Sequence, residues 1–102
     1  MNYQRNLERL LQKIPKGKVT TYRELAHAMD MRAYRFVGQL LHRNPEPEKY
    51  PCYKVVQSDG SLGGFALGQA EKIRRLKADG ITVKDGKVAD FSRRLYRFRG
   101  LC

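Results

Sequence analysis

Two short helical patterns, separated only by a tight polar turn, constrain the fold of this chain more than any other feature. Thr21 followed by Glu24 forms a capping box, in which the hydroxyl bonds an orphan amide and the carboxylate reaches back to the cap's own N–H. The apolar positions of the first helix are Tyr22, Leu25, Ala26 and Met29. Those of the second, over about residues 33–43, are Phe36, Val37, Leu40 and Leu41. The Asn44-Pro45 step ends the second helix, and a pair of these dimensions over residues 21–43 is typical of a helix-turn-helix.

The polar face of the second helix is basic. It carries Arg32, Arg35, Gln39, His42 and Arg43. The whole chain shares this bias, because 21 Lys and Arg residues against 10 acidic residues give a formal net charge of +11 over 102 residues. Such a charge favours a polyanionic partner, most often nucleic acid, with these side chains on its phosphates. A generic helical pair with a solvated basic face is the alternative interpretation.

Patterns on either side of this pair predict one further helix and two extended pieces. The apolar side of a helix over residues 2–14 consists of Tyr3, Leu7, Leu10, Leu11 and Ile14. Pro15 and Gly17 break that helix, and Val19-Thr20 leads extended into the capping box. Val55-Val56 is a second short extended piece, followed by a glycine-rich turn over residues 58–64.

The last third of the chain predicts a helix and a small hairpin. The helix, over about residues 67–78, is expected to pack through Ala70, Ile73 and Leu76 and to end at Asp79-Gly80. Residues 81–88 have the pattern of a hairpin with Asp85-Gly86 at its turn. The tail over residues 91–98 fits a docking helix, a strand or a basic arm equally well. The expected fold class is therefore mainly α with a small β-hairpin, a winged helix-turn-helix-like single domain over residues 1–102.

Cys52 lies in an unusual setting for a structural thiol, between Pro51 and the pair Tyr53-Lys54. A neighbouring lysine favours the thiolate, which is the nucleophilic form. With Cys102 as the other cysteine there is no disulfide framework, although one bridge between the two stays open. Reduced thiols, no membrane-length apolar run and no secretory pattern indicate an intracellular protein. His27 and His42 show no metal-ligand spacing with the cysteines, and the chain has no phosphate-loop motif.

Taken in order, these residues resemble the DNA-binding, reactive domain of the alkylguanine-DNA alkyltransferases. That family carries a Pro-Cys-His-Arg-Val motif, which the segment 51–55 matches at Pro51, Cys52 and Val55. Further matches in family order are the segments 15–19, 21–22, 25–26, 37–38, 43–45 and 58–65, together with Arg35, Lys72 and Asp79-Gly80. The resemblance covers about residues 7–83. These residues do not include the separate N-terminal domain that many members carry.

The resemblance implies a methylated-DNA–protein-cysteine methyltransferase that acts once. An alkylated guanine is flipped out of double-stranded DNA bound through its minor groove, because the target atom is buried in the stack. The Cys52 sulfur then takes the alkyl group irreversibly. The same resemblance implies a role in DNA repair, and we expect a monomer with no cofactor and no metal.

The resemblance also gives other residues expected roles. Tyr22 matches the tyrosine that donates a hydrogen bond to the departing guanine, and Arg35 matches the residue that inserts into the space left by the flipped base. Asn44 matches a hinge asparagine that orders the turn before the cysteine. The expected DNA contacts are Arg35, Arg32, Gln39, Arg43 and Thr21. The expected alkyl pocket consists of Val55, Ser58, Gly63 and Phe65, for all of which core packing is an equal alternative.

The departure from the family pattern lies directly after the cysteine. Tyr53 replaces the usual histidine, Lys54 the arginine, and Asp79 aligns with the glutamate that orients the histidine. A tyrosine with a reference pKa near about 10 is a poor general base at neutral pH, so a slower reaction is expected. Either Lys54 and the positive surroundings hold Cys52 as thiolate, or Tyr53 orders a water with Asp79 as carboxylate partner.

Three other classes of protein fit part of the pattern. The first is a non-catalytic, alkyltransferase-like protein that binds alkylated DNA and signals to other repair factors. The second is a plain helix-turn-helix regulator that prefers one undamaged sequence. The third is a hydrolytic thiol enzyme, in which His27 or His42 approaches Cys52 in space.

Overall fold

Helices dominate the computed structural model, which describes residues 3–32, 34–43, 46, 49–65 and 67–98. The helices are α1 (Tyr3–Lys13), α2 (Tyr22–Ala28), α3 (Tyr34–His42), α4 (Gln69–Ala78) and α5 (Phe91–Arg94), with a 3-10 turn at Cys52–Lys54. The strands are β1 (Thr20–Thr21), β2 (Val55–Val56), β3 (Val83–Lys84) and β4 (Lys87–Val88). The predicted mainly helical class with a small β component is confirmed. Within the described ranges, no helix is long and apolar enough to cross a membrane.

The three N-terminal helices form where their patterns predict them. Thr21 is the N-cap of α2, and its Oγ1 accepts a 3.0 Å hydrogen bond from the Glu24 amide, which confirms the first half of the capping box. The Glu24 carboxylate lies 3.6 Å from Nε of Arg97. Apolar faces of α1, α2 and α3 meet in a first core cluster, which also holds Cys52 and Val55.

A parallel pairing of β1 with β2 fixes the cysteine segment against this helical half. Thr20 pairs with Val55 and Thr21 with Val56. Because successive strand residues point to opposite faces, Val55 enters the first core cluster and Val56 a second one. The second cluster consists of Val19, Val56, Leu62, Leu76, Ile81 and Val88. The sequence predicted both extended pieces, but their pairing requires contacts over long sequence separation.

Helix α4 corrects one prediction. It begins at Gln69 instead of residue 67, and the expected packing positions Ala70 and Ile73 are exposed. The buried positions are Lys72 and Leu76. These two lie four residues apart and therefore share a face, and the polar contacts of the lysine head group turn that face inward. The predicted end is confirmed, since Gly80 at φ +85° follows the helix and the Ile81 amide bonds the Leu76 carbonyl at 2.9 Å.

The C-terminal part forms the predicted hairpin and then returns to the core. Asp85 and Gly86 have φ of 53° and 75°, as a type I′ turn between β3 and β4 requires. After the single turn of α5, the chain runs extended beside β1, where the Tyr96 amide donates to the Val19 carbonyl at 2.6 Å. Phe98 is buried in the first core cluster. The tail therefore combines a short helix with an extended docking segment.

Candidate functional site

Cys52 lies at the first position of the 3-10 turn and faces a cavity beside α3. The turn closes when the Val55 amide donates to the Cys52 carbonyl. The thiol residue is 8% exposed. The cavity has a volume of about 320 Å³ and is lined by Tyr22, Gly38, Leu41, His42, Cys52, Gly64 and Phe65. Because α3 supplies three of these residues, the cavity that Cys52 lines lies directly against the basic helix.

Tyr22 forms one wall of this cavity. Burial, and after it negative charge on Cys52, raises the pKa of the Tyr22 phenol, so the hydroxyl stays protonated at neutral pH. Gly63 makes room for that hydroxyl: its φ is +69°, and a Cβ there would lie 3.1 Å from Tyr22 Oη. The phenol can therefore donate a hydrogen bond to a group that develops negative charge in the cavity.

Lys54 and Asp79 form a buried ion pair. Lys54 Nζ lies 3.0 Å from Asp79 Oδ2 and donates to the Pro15 carbonyl at 3.1 Å. The same Asp79 oxygen accepts the Gly17 amide at 2.9 Å. The two side chains are only 5% and 12% exposed. The carboxylate thus compensates the charge that the sequence placed near Cys52, and it joins the loop after α1, the 3-10 turn and the end of α4.

Tyr53 faces a different part of the molecule from Cys52. Its ring is half-buried against the second core cluster, whereas Cys52 belongs to the first. Lys54 Nζ lies 6.0 Å from the Tyr53 ring centroid. Asp79 Oδ2 contacts Lys54 and Gly17, and the arrangement of Tyr53 with Asp79 expected from the sequence stays a prediction.

Lys72 is a buried cation that the sequence did not single out. The residue is fully buried on α4. Its Nζ donates to the carbonyls of Val55 at 2.8 Å, Leu62 at 2.5 Å and Gly64 at 3.1 Å. Burial lowers the pKa of Lys72 to about 8, and negative charge on Cys52 acts in the opposite direction. The only early signal was its match to the family, because a lysine at this helical position otherwise predicts a solvated side chain.

The predicted DNA-contact residues occupy one exposed surface with one exception. Arg32, Arg35, Gln39 and Arg43 are exposed on or beside α3. A neighbouring cavity is lined by Tyr22, Arg23, Tyr34, Arg35, Gln57 and Ser58. Thr21 is the exception, since it is 3% exposed and its hydroxyl caps α2. Its contact with DNA stays a prediction.

The predicted alkyl-pocket residues are not all brought together. Phe65 lines the Cys52 cavity. Gly63 lies against Tyr22, Val55 is buried in β2, and Ser58 lines the neighbouring cavity. Asn44 and Cys102 lie outside the described residues. Among the residues that are described, no three His, Cys, Asp or Glu side chains come together as a metal site.

Comparison with known families identifies the chain. Residues 2–81 match the family described as 6-O-methylguanine DNA methyltransferase, DNA binding domain. The chain belongs to this family, as the resemblance predicted. A bifunctional methyltransferase/endonuclease of Picrophilus torridus is 54% identical over 90 residues, which are 87% of this chain and 29% of that protein. A DNA base-flipping protein of Vibrio parahaemolyticus is 37% identical over 78% of this chain and 82% of its own length.

Solved structures agree with this assignment. The O6-methylguanine-DNA methyltransferase of Pyrococcus kodakaraensis superposes with a TM-score of 0.72 at 33% identity, over 78% of this chain and 47% of that one. S. pombe Atl1, solved with damaged DNA containing O6-carboxymethylguanine, superposes with a TM-score of 0.79 at 24% identity, over 93% and 94%. The chain therefore spans less than half the length of the Picrophilus and Pyrococcus relatives and nearly all of the smaller Atl1 fold.

Proposed function

We propose that this chain repairs DNA by transferring an alkyl group, typically methyl, from O6 of guanine to the sulfur of Cys52. The observation that carries the proposal is the shared cavity of Cys52 and Tyr22 beside α3. A nucleophile, a neutral hydrogen-bond donor and a basic helix are the three components that such a transfer needs. The family to which the chain belongs supports the same reaction.

DNA binding is the first step. Arg32, Arg35, Gln39 and Arg43 form an exposed basic surface suited to phosphates along a minor groove. Arg35 lies early on α3 and lines a second cavity, which shares Tyr22 with the Cys52 cavity. We infer that it enters the base stack while the alkylated guanine turns outward, because the O6 atom is inaccessible within the duplex.

Transfer is a single displacement. The Cys52 thiolate forms a bond to the alkyl carbon while the bond from that carbon to guanine O6 breaks, and the electron pair leaves with guanine. Tyr22 donates a hydrogen bond to the guanine as negative charge develops on that base. The restored guanine, which remains part of the DNA, then takes up one proton from solvent. The thioether on Cys52 is stable, so each molecule acts once and needs no cofactor.

The experiment uses duplex DNA that carries O6-methylguanine with an isotopically labelled methyl group. We expect label on the peptide that contains Cys52, no label in Cys52→Ala, and full labelling in the matched control Cys102→Ala. Since an acid–base relay contributes about a hundredfold to ten-thousandfold, we expect a slower reaction than in members with the histidine. Absence of label in the wild-type chain, or label that survives Cys52→Ala, contradicts the proposal.

A second function is favoured by one observation. Tyr53 replaces the histidine of the usual relay and packs against the second core cluster, whereas Cys52 belongs to the first, and Asp79 Oδ2 contacts Lys54. A non-catalytic protein that binds alkylated DNA and recruits other factors needs only the cavity and the basic surface, and the base-flipping relative supports this class. Tight binding to O6-methylguanine DNA without any methylation of Cys52 distinguishes this function from transfer.

A further inference from the structure

Lys72 ties together the two sides of the Cys52 cavity. One of its hydrogen bonds goes to the carbonyl of Val55, whose own amide closes the turn on Cys52. Another goes to the carbonyl of Gly64, which lines the same cavity as the thiol. A single ammonium therefore connects the cysteine turn to the opposite wall.

Among the residues that the structure describes, no acidic side chain forms an ion pair with Lys72. Its three hydrogen-bond acceptors, Val55, Leu62 and Gly64, are backbone carbonyls, which match the three N–H groups of an ammonium and carry no net charge. A fully buried cation without a compensating anion is costly. Cys52 lines the same cavity as Gly64, whose carbonyl Lys72 bonds, and the Cys52 sulfur can supply a negative charge there.

The other positive group close to Cys52 in sequence is already compensated. Lys54 is held 3.0 Å from the Asp79 carboxylate and by the Pro15 carbonyl. At any distance greater than the separation within the pair, such a cation and anion largely cancel each other's field. The charge of Lys54, the lysine nearer to the cysteine in sequence, is thus compensated by Asp79.

We propose that Lys72, and not Lys54, positions Cys52 and supplies the positive charge that holds its sulfur as the thiolate. Lys72 thereby contributes to the activation of Cys52 in a chain that has Tyr53 in place of the family histidine. It acts through the sulfur and does not touch the alkyl group, so it is a positioning residue. This inference rests on the proposed role of Cys52 as alkyl acceptor.

The coupling must be reciprocal, because one interaction energy connects the two titrations. If the ammonium favours the thiolate, the thiolate favours the ammonium to the same extent. Alkylation of Cys52 converts the thiolate into a neutral thioether and removes this support. Lys72 in the alkylated protein is then expected to lose its proton at a lower pH.

The first experiment measures the rate of Cys52 alkylation by iodoacetamide from pH 5 to pH 10, without DNA, in a Cys102→Ala background. We expect Lys72→Met to move the midpoint upward by about one pH unit, which lowers the rate about tenfold at pH values below both midpoints. Lys54→Met/Asp79→Asn is the matched control and should stay within about twofold, since removing both members of a compensated pair changes the local field little. A midpoint that moves in this double variant and not in Lys72→Met overturns the proposal, as does no movement in either variant.

The second experiment covers the case in which Lys72→Met does not fold. The side-chain amine of Lys72 is titrated by NMR in the wild-type chain, before and after Cys52 is methylated with methyl iodide. A lower titration midpoint after methylation supports the proposal, and an unchanged or higher one overturns it. Because neither experiment uses DNA, a failure here is distinct from a failure of alkyl transfer on O6-methylguanine.

Discussion

Lys54 and Lys72 bury the same ammonium group in two different surroundings. Lys54 is 4% exposed and faces the Asp79 carboxylate. Lys72 is fully buried and faces only carbonyls along its hydrogen bonds. The Asp79 carboxylate neutralises the Lys54 ammonium, whereas the carbonyls around Lys72 leave a net positive charge near the cavity that the thiol lines. Nearness to Cys52 in sequence is therefore a poor guide to which lysine acts on it.

The two sites also differ in what they hold together. The Lys54–Asp79 pair joins Pro15 and Gly17 to the cysteine turn and to the end of α4. Lys72 joins that turn to the cavity wall at Gly64. We infer that the first site mainly stabilises the fold and the second mainly tunes the thiol. Three further predictions test this division, beginning with the largest effect.

Asp79→Asn is expected to destabilise the fold strongly. The substitution leaves the Lys54 ammonium buried without its anion, and breaking a buried pair in this way typically costs about 3–5 kcal/mol. Urea denaturation measures the loss in the free energy of unfolding. In Lys54→Met/Asp79→Asn, which removes both charges, the loss should be smaller than in Asp79→Asn alone. A loss below about 1 kcal/mol in Asp79→Asn contradicts a structural role for the pair.

Lys72 gives the protein a distinctive dependence of stability on pH. Its pKa of about 8 in the folded chain lies below its usual value of 10.5. Between these values the unfolded chain binds a proton that the folded chain has released, so the free energy of unfolding rises with pH. Over pH 8 to 10 the expected rise is about 1–3 kcal/mol. Above pH 10 the raised pKa of Tyr22 acts in the opposite direction, because the folded chain then holds the extra proton.

Urea denaturation at a series of pH values measures this rise, and Lys72→Met is its control. The variant lacks the titrating amine and should lose the rise, while Lys54→Met should keep it. A stability curve that is flat from pH 8 to pH 10 in the wild-type chain, or that rises equally in Lys72→Met, shows that the buried amine does not titrate in this range.

The contrast between the two lysines also shows what the sequence could predict. Local signals worked well: the Thr21 cap, the Gly80 helix end and the Asp85-Gly86 turn each depend on residues within a few positions of one another. Membership of the family followed from ordered matches along most of the chain.

Local sequence signals of this kind could not predict the contacts around Cys52. Lys54 bonds Asp79 and Pro15, and Lys72 bonds Val55, over long stretches of chain that only the folded molecule brings together. The rotation of α4 was mispredicted for the same reason. Helical periodicity predicts that Ile73 faces inward and Lys72 outward. The structure has the reverse, because the Lys72 ammonium bonds three backbone carbonyls that the fold brings close together. The interaction of the lysine head group with those carbonyls, and not its hydropathy, decides the orientation.

The smallest expected effect tests the residue after the cysteine. Tyr53→His restores the family residue, yet we expect the single-turnover rate on O6-methylguanine DNA to rise less than about tenfold, below the usual contribution of an acid–base relay. A histidine needs an oriented partner to act as a base, and the Asp79 carboxylate is held by Lys54 and Gly17. In Tyr53→His/Lys54→Met the carboxylate is released from the lysine, so the rate should exceed that of Tyr53→His. Quenched single-turnover assays give both rates. A hundredfold gain from Tyr53→His alone would mean that the Lys54–Asp79 pair does not withhold the carboxylate, and the division between the two buried lysines would then fail.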